Sequence, residues 1–556
     1  MGFAMMWVEA LAAGILWTAL VLAIVTRMKR RWVAIVLGTV GIGGLWFLSV
    51  LMTISVGFLA RYIGWALFEW DLSWAIAFTV AAVVVCGIGL RSRDDAGWRA
   101  AAWRRGRLAI GLAAMLILYY VTFWNQDLAM QARLEGIQAQ AVARALSVAP
   151  ARVPPDRNAA PLYRDAFTIL SEADDPPEAW NGKWTEWLRQ EVPIDLNATD
   201  PDLVTYVTGM EPAAALLRQA AGKPGCYFER DYGRPRVDML MPELSGFQKG
   251  TRLLALEARV AAVGGNPDLA LANVEALFRM TRHVEQDPIL VSALVAMFID
   301  GAAVRTLETL AADENVPVAT VELDPSQFYN ETLPRAFRME EAFGLSVFCD
   351  VALAPATLTE LAASDVGLSN PARIAGWPWV ERTGFGAAYR VFILPPDIGF
   401  YMRAMQQYQS ATAVPYHEAI PTWELMEEQM QDSKGKGMGV ISAMIVPALY
   451  QVSRTAAAAD ARHNLARLAL AMHRCRAKTG AYPDSLGALL PGYMPAVPRD
   501  PFDGKPLRMV RRDGHIVLYS VGADLKDDGG VPWDDKADTG DLVFRLTIPG
   551  DAVPEG

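Results

Sequence analysis

A chain of 556 residues, 53% of them hydrophobic and with a positive mean hydropathy, is too long for one domain and too apolar to be wholly exposed to water. Its formal net charge of −10 is unevenly spread: residues 1–124 carry 11 Lys/Arg against 5 Asp/Glu, and the remainder 40 against 56. The acidic remainder lacks the basic stripe that would neutralise phosphates, which excludes a nucleic-acid partner, and four cysteines with no C-x-x-C spacing exclude a disulfide-dense scaffold or a zinc site.

Four apolar runs open the chain, at 4–26, 33–59, 74–90 and 108–124. Each is close to the roughly 20 residues that cross a hydrocarbon core as a helix. The first is expected to be a retained span, because it lacks a basic leader and an Ala-x-Ala exit and further runs follow it. The loop after the first run holds Arg27, Lys29, Arg30 and Arg31, and the loop after the third holds Arg91, Arg93, Arg99, Arg104, Arg105 and Arg107. Basic loops stay in the cytoplasm, so both termini are expected outside. Trp65, Trp70, Trp74, Tyr119, Tyr120 and Trp124 sit at the outer span ends, as an aromatic belt does. Glu9 is an intramembrane carboxylate, but it is close enough to the outer end to reach headgroups or water. No span shows the paired broken-helix pattern of a transporter. Residues 1–124 therefore read as a four-span membrane α-helical bundle, an anchor.

Residues 125–433 read as a mostly α-helical extracytoplasmic domain. Pro150, Pro154 and Pro155 separate the helix leaving the membrane from the next element. A helical hairpin is expected from Leu253–Val263 and Leu269–His283, turning at Gly264-Gly265-Asn266-Pro267, with a third helix over Ile289–Ala311. Ala258 and Ala270 give the hairpin the look of one tetratricopeptide-like unit, but no 34-residue period is sustained, so an irregular bundle is expected. Pro395-Pro396 marks a break before a helix around Tyr401–Gln409. Trp180, Trp184 and Trp187 fall at i, i+4 and i+7, a stripe suited to core packing, to sugar rings or to a membrane surface.

Candidate chemistry in this domain is sparse. His283 with Glu285, and His417 with Glu418, pair imidazole and acid as a hydrolase does, and Cys226 is a conceivable nucleophile. No Gly-x-Ser-x-Gly or His-Glu-x-x-His motif accompanies them. Cys226 and Cys349 either pair in an oxidising compartment or stand as two separate buried thiols.

Residues 434–556 are the most informative. An apolar arm, Val440–Leu449 with Pro447, leads into a helix reaching Lys478, along which Ala461, Leu465, Leu468, Met472 and Cys475 recur at helical spacing. Gly480 ends it. Then come Tyr482-Pro483-Asp484-Ser485-Leu486, Asp500-Pro501-Phe502-Asp503-Gly504, and strands at Leu507–Arg512, His515–Ser520 and Asp541–Leu546, the first two joined by the hairpin signal Asp513-Gly514. Between the last two strands, after Ser520-Val521-Gly522-Ala523-Asp524, lies a loop with seven aspartates at 524, 527, 528, 534, 535, 538 and 541.

This order resembles the major pseudopilin of bacterial type II secretion systems, over about a fifth of the chain. The resemblance implies an α+β module, a long helix on a small antiparallel sheet. It also implies a Ca²⁺ site in the acidic loop, with Asp524 and Asp541 as the best-matched ligands and Asp528 and Asp538 as additional ones. Oxygen-rich loops suit Ca²⁺, although Lys526 and Asp535 rule out an EF-hand. The apolar arm, at about ten residues, is too short to cross a bilayer and follows the polar stretch Glu427–Lys436, so the module is not expected to polymerise. The parts together suggest a membrane-anchored periplasmic scaffold or accessory protein for secretion or envelope assembly. The alternative is an envelope enzyme using His283 or Cys226, for which a shared cleft is the discriminating observation.

Overall fold

Helical periodicity dominates the chain, and helices dominate its structure. The computed structural model describes residues 96–173, 198–235, 241–353, 389–433, 441–512, 514–534 and 537–548, with a few isolated positions between them. The runs at 4–26, 33–59 and 74–90, Glu9 among them, lie outside these residues, as does Trp180. Among the described residues there are eleven α-helices. They are α1 (Ala96–Val148), α2 (Ala160–Glu172), α3 (Pro201–Gly209), α4 (Glu211–Ala221), α5 (Glu243–Val263), α6 (Pro267–Glu285), α7 (Leu290–Leu310), α8 (Leu333–Leu353), α9 (Leu394–Ala411), α10 (Tyr416–Ser433) and α11 (Ser442–Thr479). Strands β1 (Arg508–Arg512), β2 (His515–Ser520) and β3 (Leu542–Thr547) follow. The mostly helical body with a small C-terminal antiparallel sheet is as expected.

The chain divides into two compact units, Met1–Ile137 with Phe348–Pro396, and Gln138–Val347 with Asp397–Gly556. In the first, the apolar run 108–124 lies within α1, one continuous helix of 53 residues and so about 80 Å long. Leu118, Val121, Trp124 and Leu128 of α1 are exposed. Asp127 is fully buried and takes a two-pronged ion pair from Arg390, at 2.6 and 3.1 Å. Arg390 also donates to the Ala352 carbonyl at 2.8 Å. A buried carboxylate stays charged only when its oxygens are paired in this way.

The second unit is built on α5, α6 and α7, which pack on one another. Asn266 caps α6 by accepting from the Leu269 amide at 3.2 Å, with Pro267 in the first turn and Gly265 at φ +78°. The hairpin signal was therefore read correctly, but α5 begins ten residues earlier than expected. Gly246 and Gly250 do not break it, because they are the points where α2 and α4 come closest: a Cβ on Gly246 would lie 2.3 Å from Phe167. Pro395-Pro396 is likewise no break, since a π-helical turn, Tyr389–Ile393, leads directly into α9 and the helical backbone runs through both prolines.

Among the described residues one helix is long and apolar enough to cross a membrane, α7, and 78% of its apolar window is buried within the protein. It is a core helix, and it buries Asp300, Arg305 and Glu308 as well.

The expected arm and helix at 440–478 form one element. Helix α11 runs unbroken for 38 residues. The fully buried Asp397 of α9 holds its first turn, accepting from the Ile441 and Ser442 amides at 3.0 and 3.1 Å and so satisfying donors a helix start leaves unpaired. Gly480, at φ +86°, closes the other end. One side of α11 packs on β2 and β3. Other faces meet α7, α10 and the π-helical turn Phe328–Thr332. Hence Leu465, Ala466, Leu468, Ala469, Leu470, Ala471 and Met472 are all buried in succession, where a one-sided stripe was expected.

The sheet is an antiparallel meander in the order β1-β2-β3, with Ile516 opposite Leu546 and Leu518 opposite Phe544. Val517, Tyr519 and Val543 pack on the other face, where Gly530 of the acidic loop approaches Val510 and Val517 so closely that a Cβ would sit 3.1 Å from each. The loop thus folds back as a cover for the sheet. Asp500 ties the Asp-Pro-Phe-Asp-Gly turn to the end of β2, accepting from Ser520 Oγ at 2.8 Å and the Val521 amide at 2.9 Å.

Candidate functional site

His283 and Glu285 are two residues apart on α6, a spacing that cannot place side chains face to face. They enter different clefts of the second unit.

The first cleft brings together His283 and Cys226 with Arg230, Tyr232, Glu243 and Asp287. The discriminating observation for an enzyme is therefore met in space. The chemistry runs the other way. His283 Nε2 lies 2.9 Å from the Lys223 carbonyl, an acceptor only, so this nitrogen carries the proton. Tyr163 donates its hydroxyl to Nδ1 at 2.8 Å. Burial holds the imidazole pKa below its ordinary value, and the ring is neutral with both nitrogens used. Burial, then the Asp287 and Glu243 carboxylates, push the Cys226 thiol far up, which removes the thiolate a nucleophile needs. Arg230 bridges Glu243 and Asp287, and Tyr232 and Ser292 complete Asp287 at 2.9 and 2.7 Å. The free space is about 20 Å³, room for one water. This is a satisfied polar core.

The second cleft, about 110 Å³, lies where α6, α7 and α11 meet the segment 323–332. On α11, Asp460 and His463 share one face at i, i+3. The Asp460 carboxylate accepts from Ser326 Oγ at 2.6 Å and from the Phe328 and Tyr329 amides at 2.8 and 3.0 Å. His463 Nδ1 lies 2.8 Å from Asp300 Oδ1, and Nε2 lies 2.8 Å from the Asp324 carbonyl. Both ring nitrogens face acceptors, so both carry protons and the ring is an imidazolium. Burial works against that charge, but Asp300, the Asp324 carbonyl and Asp460 outweigh it and hold the His463 pKa above its ordinary value. Burial, then Asp300, pushes Glu285 up to about 7. Burial likewise lifts Asp460 to about 6, against the hydrogen bonds it accepts. Asp300 is 2% exposed, and among the described residues its Oδ2 has no hydrogen-bond partner.

Sequence reasoning missed Asp300, Asp460 and His463. Their signal was present: Asp300 is an acidic residue inside the most apolar helix of the unit, and Asp460 with His463 interrupts the alanine-rich face of α11.

In the acidic loop, three of the four expected ligands, Asp524, Asp538 and Asp541, have protein partners for their carboxylates, while Asp528 contributes its backbone amide. Asp541 is fully buried and accepts from the Gly530 amide at 2.6 Å and the Asp528 amide at 3.5 Å. Asp524 accepts from the Lys526 and Gly540 amides at 3.1 and 3.4 Å. Asp538, at φ +52°, pairs with Arg454 at 2.7 Å. Among the described residues no three His, Cys, Asp or Glu side chains are grouped as a metal shell. Backbone amides give the loop its order. Burial, with Asp527 and Asp528 adding to it, still pushes Asp541 up to about 6, so negative charge accumulates here.

The remaining candidates resolve into packing. Cys226 and Cys349 are separate, buried free thiols. Trp184 and Trp187 are buried against each other, ring centroids 5.0 Å apart. His417 and Glu418 approach only to 3.8 Å, with Glu418 well exposed. Comparison with protein-family models, curated proteins and solved structures finds no match for this chain.

Proposed function

We propose that this protein is a membrane-anchored scaffold or accessory binding protein of the bacterial envelope, whose pseudopilin-like segment is a fixed part of a larger helical body. Residues 1–124 anchor it in the inner membrane, and the second unit faces the periplasm, where it binds components of a secretion or envelope-assembly machine. The observation that carries this reading is the enclosure of α11. A pseudopilin polymerises through an apolar helix it can offer to neighbours, whereas here the start of that helix is held by Asp397, Val446 and Leu449 are buried, and the stretch from Ala456 to Cys475 packs against sheet and helices. The exposed apolar run Leu118, Val121, Trp124 and Leu128 on α1 supports the anchor, because soluble surfaces seldom expose such a row.

Crosslinking in intact cells, gentle solubilisation and identification of what copurifies tests this role. Pseudopilins or secretion-platform subunits recovered with the full chain, and lost when the exposed rim of the sheet is mutated, support it. Recovery of the protein alone counts against it. The same reading assigns calcium to Asp524, Asp528, Asp538 and Asp541, supported by the seven aspartates that share this loop. A full-length protein that melts at the same temperature in EDTA and in millimolar calcium would remove the metal from the account.

A further inference from the structure

We propose that the cleft beside Asp300 and Glu285 binds a small ligand bearing a primary ammonium group. The site is distinct from the scaffold surface and does not depend on that role.

Three observations carry the proposal. Asp300 Oδ2 is buried without a hydrogen-bond donor and lines the cleft, a costly state for a carboxylate oxygen. The cluster is also short of positive charge: Asp300, Asp460 and Glu285 face one imidazolium, His463, which leaves two negative charges uncompensated when all three acids are ionised. Finally, the acceptors left over suit an ammonium better than a metal. Both His463 nitrogens are taken, and Asp460 is occupied by three donors. Asp300 Oδ2 and the Glu285 carboxylate remain, the latter accepting, among the described residues, from Thr332 Oγ1 at 3.3 Å. Two carboxylates fall far short of the six to eight oxygens calcium takes, but an ammonium needs only three acceptors. The Arg282–Asp324 ion pair joins two residues of the cleft lining, so the ligand is small.

A proton on Glu285 compensates the charge when no ligand is bound. The groups that act on it are Asp300 from α7, Asp460 and His463 from α11, and Thr332 from the π-helical turn; Arg282, paired with Asp324, and Glu331 line the same cleft. Ammonium binding displaces that proton, so affinity rises as the pH is raised through about 7.

The test is calorimetric titration of the full-length, detergent-solubilised protein at pH 8 with methylammonium chloride, with tetramethylammonium chloride as a cation that donates no N–H bond. Saturable binding of methylammonium alone is expected. Glu285→Gln weakens it about tenfold or more, the order lost with one hydrogen bond to a charged group, while the variant melts at or above the parent's temperature. Asp300→Asn serves as a second variant with the same expected loss. Equal heats for the two cations, unchanged affinity in a folded Glu285→Gln, or saturation by manganese chloride but not by methylammonium would each overturn the proposal.

Discussion

His283 and His463 are both buried histidines with both ring nitrogens hydrogen-bonded, and they differ in one partner. His283 receives a tyrosine hydroxyl, which can give a proton, and stays neutral. His463 faces a carboxylate, which cannot, and is charged. That difference propagates outward. Around His283 the Glu243 and Asp287 carboxylates share Arg230, Tyr232 and Ser292 donate to Asp287, and the space is closed to about one water. Around His463 the acids outnumber the cation, an oxygen is left unpaired and the space is open. Burial alone says little about chemistry, and the identity of one hydrogen-bond partner decides whether a cluster is finished or poised.

The two clusters also respond oppositely to pH. His463 has a raised pKa, so its stabilisation is present below the ordinary value of 6.5 and is lost as pH rises through the folded value. Glu285 keeps a proton up to about 7 that an unfolded chain releases near 4.5, and Asp460 behaves likewise between 3.8 and about 6. Both lower the stability of the fold as pH rises across those windows. His283, with a lowered pKa, contributes above 6.5 and loses its contribution as pH falls.

The largest expected effect comes from Asp300→Ala, which strands a buried imidazolium and costs about 3–5 kcal/mol in denaturant unfolding. Glu285→Gln runs in the other direction: above pH 8 it stabilises by about 3 kcal/mol, and below pH 4.5 it changes little. A stability gain independent of pH would sever Glu285 from the charged cluster. Tyr163→Phe keeps the ring and removes the donor to His283, with an expected loss of about 1–2 kcal/mol near neutral pH. Smallest of all is Asp538→Ala. The Arg454 pair is 35% and 67% exposed, so melting should shift by less than about 1 kcal/mol in calcium-free buffer, and a larger loss seen only with calcium present would favour the metal site.

Much of the architecture was legible because its signals are local. Asn266-Pro267 caps a helix, Gly480 closes one, and Gly514 at positive φ serves the turn between β1 and β2, whatever packs around them. The enclosure of α11 was not legible in the same way. Its apolar residues at helical spacing are those a one-sided helix would need, and the second face is lined by alanines that read equally well as surface helix formers. The candidate site was least legible of all. Asp300, Glu285, Asp460 and His463 come from three helices, and no spacing rule joins residues so far apart in sequence. Cys226 and His283 share a cleft as an enzyme would require, yet the partners that occupy His283, Tyr163 and the Lys223 carbonyl, are contributed by α2 and the segment after α4, and burial with Asp287 and Glu243 disarms Cys226.

The central claim, that one of these histidines is charged and the other neutral, can be read directly. The chain has only five histidines, so ¹⁵N-histidine labelling of the full-length protein gives a ring-nitrogen spectrum simple enough to assign with His463→Gln and His283→Gln. Across a pH titration the account predicts that His463 keeps two protonated nitrogens of nearly equal shift to a pH above the ordinary histidine range, and that His283 gains its second proton only below that range. A His463 that loses its proton at or below the ordinary value would place the proton elsewhere and contradict the account.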